Sequence, residues 1–181
     1  MEDALILEKF TDPSTREEGF TLLLKKYQQR IYWHIRRMVI DHDDADDLVQ
    51  DVFIKVWNNL GKFREDAQLY TWIYRIATNE CITFLNKKKQ KQTMSLDDDS
   101  SAYLSETLTG SAYFDGNAAQ QKLQDALLTL PDKQRLVFNM KYFEDLKYEE
   151  ISEILGTTVG GLKASYHLAV KKIEQYFKSR D

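Results

Sequence analysis

Apolar side chains recur every three or four positions along most of the chain, the spacing that gathers one stripe on a helix. No stretch alternates every second residue as a half-buried strand would. This pattern predicts a helix over 16–40 with Phe20, Leu23, Leu24, Tyr27, Ile31 and Ile35 inward. A second, over 43–60, turns Leu48, Val49, Val52, Phe53, Val56, Trp57 and Leu60 inward and Asp46, Asp47, Gln50 and Asp51 outward. Gly61 breaks the period, GKFREDAQLY reads as a loop, and a third helix covers 70–89. On its wheel Trp72, Ile73, Ile76, Ala77, Phe84 and Leu85 share the apolar side. Thr71, Arg75, Thr78, Asn79, Ile82 and Asn86 fall opposite, and Glu80 lies inside the apolar stripe with no reason in the sequence.

From 92 to 118 the period disappears into QTMSLDDDSSAYLSETLTGSAYFDGNA, rich in Ser, Thr, Asp and Gly, which reads as a flexible acidic linker. Helices resume over 119–130, 132–144, 147–155 and 158–177, with Pro131 separating the first two because proline suits a first turn and not a helix interior. The last two have helix-turn-helix spacing: Gly156 ends one, and Thr158 is placed to cap the next. Ile151, Ile154, Leu155, Leu162, Tyr166, Ala169, Val170 and Ile173 lock that pair, turning Lys163, Ala164, Ser165, His167 and Lys171 outward. Gly160 and Gly161 in a first turn cost helix stability and suit a close approach to a duplex backbone. The expected fold is all-α, with two small helical domains, 1–92 and 119–181, joined by the linker 93–118.

Charge sharpens this picture. The net charge of the 181 residues is −4, but residues 1–60 carry −4, 61–92 carry +4, 93–119 carry −5 and 120–181 carry +1. The basic segment ends in Lys87, Lys88, Lys89 and Lys91 beside a face of small amides and hydroxyls. Cations at a helix C-terminus favour the macrodipole by about 0.3–1 kcal/mol each, which accounts for one or two of the four. Lysines beside Asn and Thr combine phosphate attraction with groups that discriminate bases.

Other classes find little support. No apolar run reaches the ~20 residues a membrane span needs, and MEDALILEKF is acidic where a secretory leader is basic, so a cytoplasmic protein without membrane insertion is expected. Cys81 is the sole cysteine, expected as a buried apolar side chain. DHDDADDLVQD places Asp46 where a calcium loop requires glycine, and no helical His/Glu metal pair occurs, so no metal or other cofactor is expected. With neither a paired nucleophile and base nor a phosphate loop, we expect no enzyme and no small-molecule substrate. The outward Asp46, Asp47, Gln50 and Asp51 suit a basic protein partner.

Three stretches carry a resemblance: DADDLVQDVFIKVW (44–57), FREDAQLYTWIYRIATN (63–79) and LPDKQRLVFNMKYFEDLKYEEISEILGTTVGGLKASYHLAVKKIE (130–174). In this order they resemble the bacterial extracytoplasmic-function (ECF) sigma factors, which have sigma domains 2 and 4 only; the lysine pattern and the KASYHLAVKKIE ending look most like Bacteroidetes members. The resemblance implies a subunit that binds core RNA polymerase at the β′ clamp helices and the β flap, recognises and opens promoter DNA, and is held by an anti-sigma factor. Asp46, Asp47, Gln50 and Asp51 would contact polymerase. Lys62, Phe63, Arg64, Tyr70, Arg75, Thr78, Asn79, Lys87 and Lys88 would serve the −10 element, a flipped base entering the loop Lys62–Tyr70. Lys141, Gly161, Lys163, Ala164, Ser165, His167, Leu168 and Lys171, with Lys172, would serve the −35 element, and the acidic linker would thread the RNA exit path. Where many relatives read V-G-T-V-[KR]-S-R this chain reads VGGLKAS, losing a threonine and an arginine. A helix-turn-helix repressor or adaptor working without polymerase is the competing expectation; it has no use for the acidic face or the loop 62–70.

Overall fold

A computed structural model of the chain describes residues 2–94 and 118–180. The linker expected over 93–118 falls, apart from its ends, outside the described residues. The chain divides into two compact units at Lys91 and Gln92. The first holds α1 (Asp3–Thr11), α2 (Arg16–Met38), α3 (His42–Asn59), a 3-10 turn (Leu60–Lys62) and α4 (Leu69–Met94) up to Lys91. The second holds α5 (Ala118–Leu128), α6 (Asp132–Tyr142), α7 (Tyr148–Leu155) and α8 (Val159–Lys178).

In the first unit the inner stripes meet as the periodicity predicts: Leu23, Ile31, Ile35, Val52, Val56, Ile73 and Ala77 are buried. Each of the valines, leucines and isoleucines among them contributes about 1.5–3 kcal/mol by leaving water. Trp57 meets Phe10 and Phe20 edge-on at 5.3 and 5.0 Å between ring centroids, joining α3 to α1 and α2, Phe10 and Phe20 lie tilted at 6.4 Å, and the Arg16 guanidinium lies 4.6 Å from the Phe10 centroid. Arg36 donates to the Ile40 carbonyl beyond the end of α2, and Asp41 caps α3 by accepting from the Asp44 N–H at 3.0 Å. α4 runs five residues past its expected end, to Met94.

α1 is absent from the sequence expectations. It buries only Ile6 and Phe10, one turn apart, and is tied to α2 by Asp3, whose carboxylate accepts from Lys26 at 2.6 Å and from the Tyr27 hydroxyl at 2.7 Å. The reason for its seat lies on α2: a Cβ at Gly19 would stand 2.6 Å from the Phe10 nitrogen and 3.0 Å from the Ile6 carbonyl oxygen. Backbone atoms cannot swing aside as a side-chain tip can. Gly19→Ala is therefore expected to destabilise the first unit by about 2 kcal/mol despite alanine's better helix propensity. All three tryptophans (Trp33, Trp57, Trp72) belong to this unit, so urea unfolding followed by their emission measures it alone.

In the second unit Phe138 centres a cluster of Ala126, Leu127, Leu130, Ala169 and Ile173. Its ring stacks on Tyr166 of α8 at 5.7 Å, 14° from parallel. The turn after α7 uses Gly156 at φ +66°, a left-handed conformation that glycine adopts without penalty. The Thr158 hydroxyl then accepts from the Gly161 N–H at 3.1 Å to start α8. A Cβ at Gly161 would crowd that same oxygen at 3.1 Å, whereas one at Gly160 meets open space, so the cap accounts for one glycine of the pair.

Candidate nucleic-acid interface and docking face

The acidic run at the start of α3 separates into roles. Asp41 caps the helix, Asp44 Oδ2 lies 3.4 Å from Lys88 Nζ on α4, and Asp46 Oδ2 lies 3.0 Å from His42 Nδ1 one turn back. Asp47, Gln50 and Asp51 are exposed on the outer face, as their spacing predicts, while Asp46 is half-buried. Sequence reasoning missed Ile54, which is 57% exposed seven residues after Asp47 on that face. The available signal was an apolar residue on the polar side of the wheel.

Glu80 now has its reason. It pairs with Lys55 of α3, and with Asp44–Lys88 this makes two ion pairs across the antiparallel α3 and α4. Lys88 also lies 5.6 Å from the Phe84 centroid, so this expected DNA contact is partly engaged within the unit; Lys87 is exposed.

Along α4 the structure corrects the wheel. Thr71 and Thr78, expected on the outer polar face, are buried at 2% and 0% exposure. Thr78 therefore leaves the set of expected DNA contacts. A buried hydroxyl left unpaired costs about 1–3 kcal/mol, and Thr78 Oγ1 avoids this by a 3.0 Å hydrogen bond with His34 Nε2 of α2. His34 is itself fully buried, and burial, with the Arg37 charge second, pushes its pKa down to about 3, so the ring is neutral at physiological pH. The neighbours on either side stay outside: Arg75 and Asn79, one turn apart, are exposed. Cys81 is buried as expected, and burial, with Glu80 second, pushes its thiol up to about 12.

Before α4, Lys62 and Arg64 are exposed, and Phe63 is half-buried with its ring 5.3 Å from Trp72. Tyr70 is half-buried at the start of the helix. An open cleft of about 440 Å³ between α1 and this loop is lined by Ala4, Leu7, Glu8, Thr11, Asp12 and Glu65, none of them singled out by the sequence.

In the second unit Gly161, Lys163, Ala164, His167, Leu168, Lys171 and Lys172 are exposed along α8, and Ser165 is half-buried. Leu168 keeps 47% exposure, an apolar side chain on an otherwise polar face. Lys141 donates to the Leu146 carbonyl at 3.2 Å, and Lys141 and Lys163 lie 5.0 and 5.8 Å from the Tyr148 ring centroid. These two lysines flank the start of α7. Among the described residues no cluster of His, Cys, Asp or Glu has metal-site geometry, and no helix is long and apolar enough to cross a membrane.

A helix-turn-helix whose second helix exposes lysines, in one chain with a unit that has an amide-bearing basic helix, defines a helical DNA-binding protein. Comparison with known proteins narrows the class. Residues 23–91 match Sigma-70 region 2 and residues 120–173 match Sigma-70, region 4. The chain is 31% identical over 160 residues to the ECF RNA polymerase sigma factor SigW of Bacillus subtilis (strain 168), covering 83% of this chain and 84% of that one. It is 28% identical over 165 residues to the ECF RNA polymerase sigma-E factor of Escherichia coli (strain K12), covering 87% and 86%. Among solved structures, the sigma factor RpoE in complex with the anti-sigma factor NepR from Bartonella quintana has a TM-score of 0.71 at 21% identity, covering 89% of this chain and 98% of that one. CnrH in complex with the cytosolic domain of CnrY has a TM-score of 0.69 at 18% identity, covering 99% of both; at these identities the two establish the fold. The chain belongs to the extracytoplasmic-function family of RNA polymerase sigma factors. It is a transcription initiation factor that binds core RNA polymerase and directs it to promoters.

Proposed function

We propose that this sigma factor divides its work among three surfaces. The outer face of α3 seats on the β′ clamp helices through Asp47, Gln50 and Asp51, with Asp46 at the margin and Ile54 as an apolar anchor. Charge steers such an encounter, and an apolar side chain that becomes fully desolvated holds it. The loop Lys62–Tyr70 and α4 take the −10 element. A non-template base leaves the stack for the loop beside Phe63 and Tyr70, Lys62, Arg64, Lys87 and Lys88 hold phosphates, and Arg75 and Asn79 meet neighbouring bases. Flipping a base costs a few kcal/mol, which a surface that holds the single strand offsets. α8 enters the major groove of the −35 element with Gly161, Lys163, Ala164, Ser165, His167 and Leu168 toward the bases. Leu168 suits a thymine methyl, and Lys141, Lys171 and Lys172 hold the backbone. With Ser165 where many relatives have arginine, −35 recognition leans on DNA shape.

The same reading places residues 1–92 and 119–181 as sigma domains 2 and 4 with a linker between, the second domain also meeting the β flap. It further takes the protein as cytoplasmic, held by an anti-sigma factor, a partner with which RpoE is found in complex, and of Bacteroidetes affinity.

The exposure of Arg75 and Asn79 carries this reading. They stand outside on a segment where Ile73, Tyr74, Ala77, Thr78 and Cys81 are buried and Ile76 and Glu80 half-buried, and the fold makes no use of an amide there. Transcription in vitro with core polymerase on a library of −10 variants tests it. Asn79→Ala is expected to lower discrimination at one base of the element roughly 10-fold while sparing core binding. An unchanged rank order of all variants would remove Asn79 from base reading.

A further inference from the structure

We infer that His34 and Thr78 form a buried positioning pair that fixes the rotational aim of Arg75 and Asn79 toward the promoter strand; this rests on the −10 reading of α4 given above.

α2 and α4 meet through a ladder whose rungs advance four residues on each helix. The Arg30 guanidinium lies 5.9 Å from the Tyr74 ring centroid, the His34 ring lies 5.0 Å from the same centroid, and His34 Nε2 lies 3.0 Å from Thr78 Oγ1. The remaining inward residues of α4 here, Ile73, Ala77 and Cys81, form a row that ends in small side chains. Apolar packing of such a row is non-directional, whereas a hydrogen bond already at 3.0 Å is lost once rotation of the helix separates its atoms by more than about half an ångström. Rotating α4 by about 20° would carry an amide about 6 Å from the helix axis through roughly 2 Å. That exceeds the ~0.5 Å within which a recognition group must be held. Thr78 adjoins Asn79 and follows Arg75 by three residues, and its β-branched side chain has little rotamer freedom, so fixing its hydroxyl fixes the phase of both neighbours.

Stability alone does not call for these residue types. An apolar pair of the same shape at 34 and 78 would serve the core as well or better, since both polar groups lose their water to make one hydrogen bond. The advantage of the polar pair is direction, the use best attested for buried polar groups.

The test compares Thr78→Val, Thr78→Ser and the double variant His34→Leu/Thr78→Val with the native protein. Two quantities are read: the tryptophan-monitored unfolding midpoint of the free protein, and, with core polymerase saturated by each variant, the transcription ratios across −10 variants well below that midpoint. Thr78→Val is expected to lower both the midpoint and −10 discrimination, the latter at least about fivefold. Thr78→Ser, which keeps the hydroxyl, should retain discrimination. The double variant is expected to recover the midpoint without recovering discrimination, an outcome that a purely structural role does not give. Recovery of both together, or native discrimination in Thr78→Val, overturns the proposal. Asn79→Ala separates the two levels. If it too leaves the ratios native, the −10 reading fails and the pair has nothing to aim. If it flattens them while Thr78→Val does not, the positioning role alone is refuted.

Discussion

The double variant Gln50→Ala/Asp51→Ala is expected to bind core RNA polymerase about 30-fold more weakly, a loss of about 2 kcal/mol. Both side chains are exposed on the outer face of α3, and alanine suits a helix better than either, so the unfolding midpoint should hold. Removing a carboxylate at a steered encounter lowers the association rate most, and that part of the loss should shrink as salt rises. Ile54→Ala, which removes no charge, should instead speed dissociation with little dependence on salt. A titration of labelled variant against core enzyme at two ionic strengths separates the contributions; native affinity in both variants would mean that the enzyme is gripped elsewhere.

The first unit is also expected to lose stability in mild acid through His34. Its folded pKa is pushed down to about 3, below the 6.5 of an unperturbed imidazole, so between these values the unfolded chain binds a proton that the folded chain refuses. Stability from this group is complete above about pH 6.5 and drains away as pH falls toward 3, by up to roughly 1.4 kcal/mol per pH unit. Around the ring stand the Thr78 hydroxyl, the Tyr74 ring with Arg30 over it, and Arg37, whose charge opposes protonation. Carboxylates titrate in the lower part of this window, so the comparison is between native protein and His34→Gln. The stability gap between them should narrow steadily from pH 6.5 to 4; parallel curves would show that His34 takes up its proton in the folded state.

Much of this was legible in the sequence because exposed faces leave clean stripes. α8 is the clearest case: Lys163, Ala164, His167 and Lys171 stand outward as their spacing requires, and Thr158 caps the helix. The misreadings of Thr78 and Glu80 share one cause, that a polar residue's surroundings are set by partners distant in the chain. Thr78 reads as surface until His34, 44 residues earlier, supplies its hydrogen bond, and Glu80 reads as misplaced until Lys55, 25 residues earlier, supplies its charge. α1 escaped notice because Ile6 and Phe10 make too short a stripe; the sign of its seat was a glycine on another helix, at position 19.

The antiparallel bracing of α3 and α4 by Lys55–Glu80 and Asp44–Lys88 gives the first unit the character of a jig. Each exposed ion pair contributes at most about 1 kcal/mol, so packing bears the load while the charges trim the angle. Whatever grips α3 thereby sets where α4 presents Arg75 and Asn79. With α3 as the holding face and α4 as the face toward the opened strand, as proposed, the offset between the two is built into the unit and is the same at every promoter.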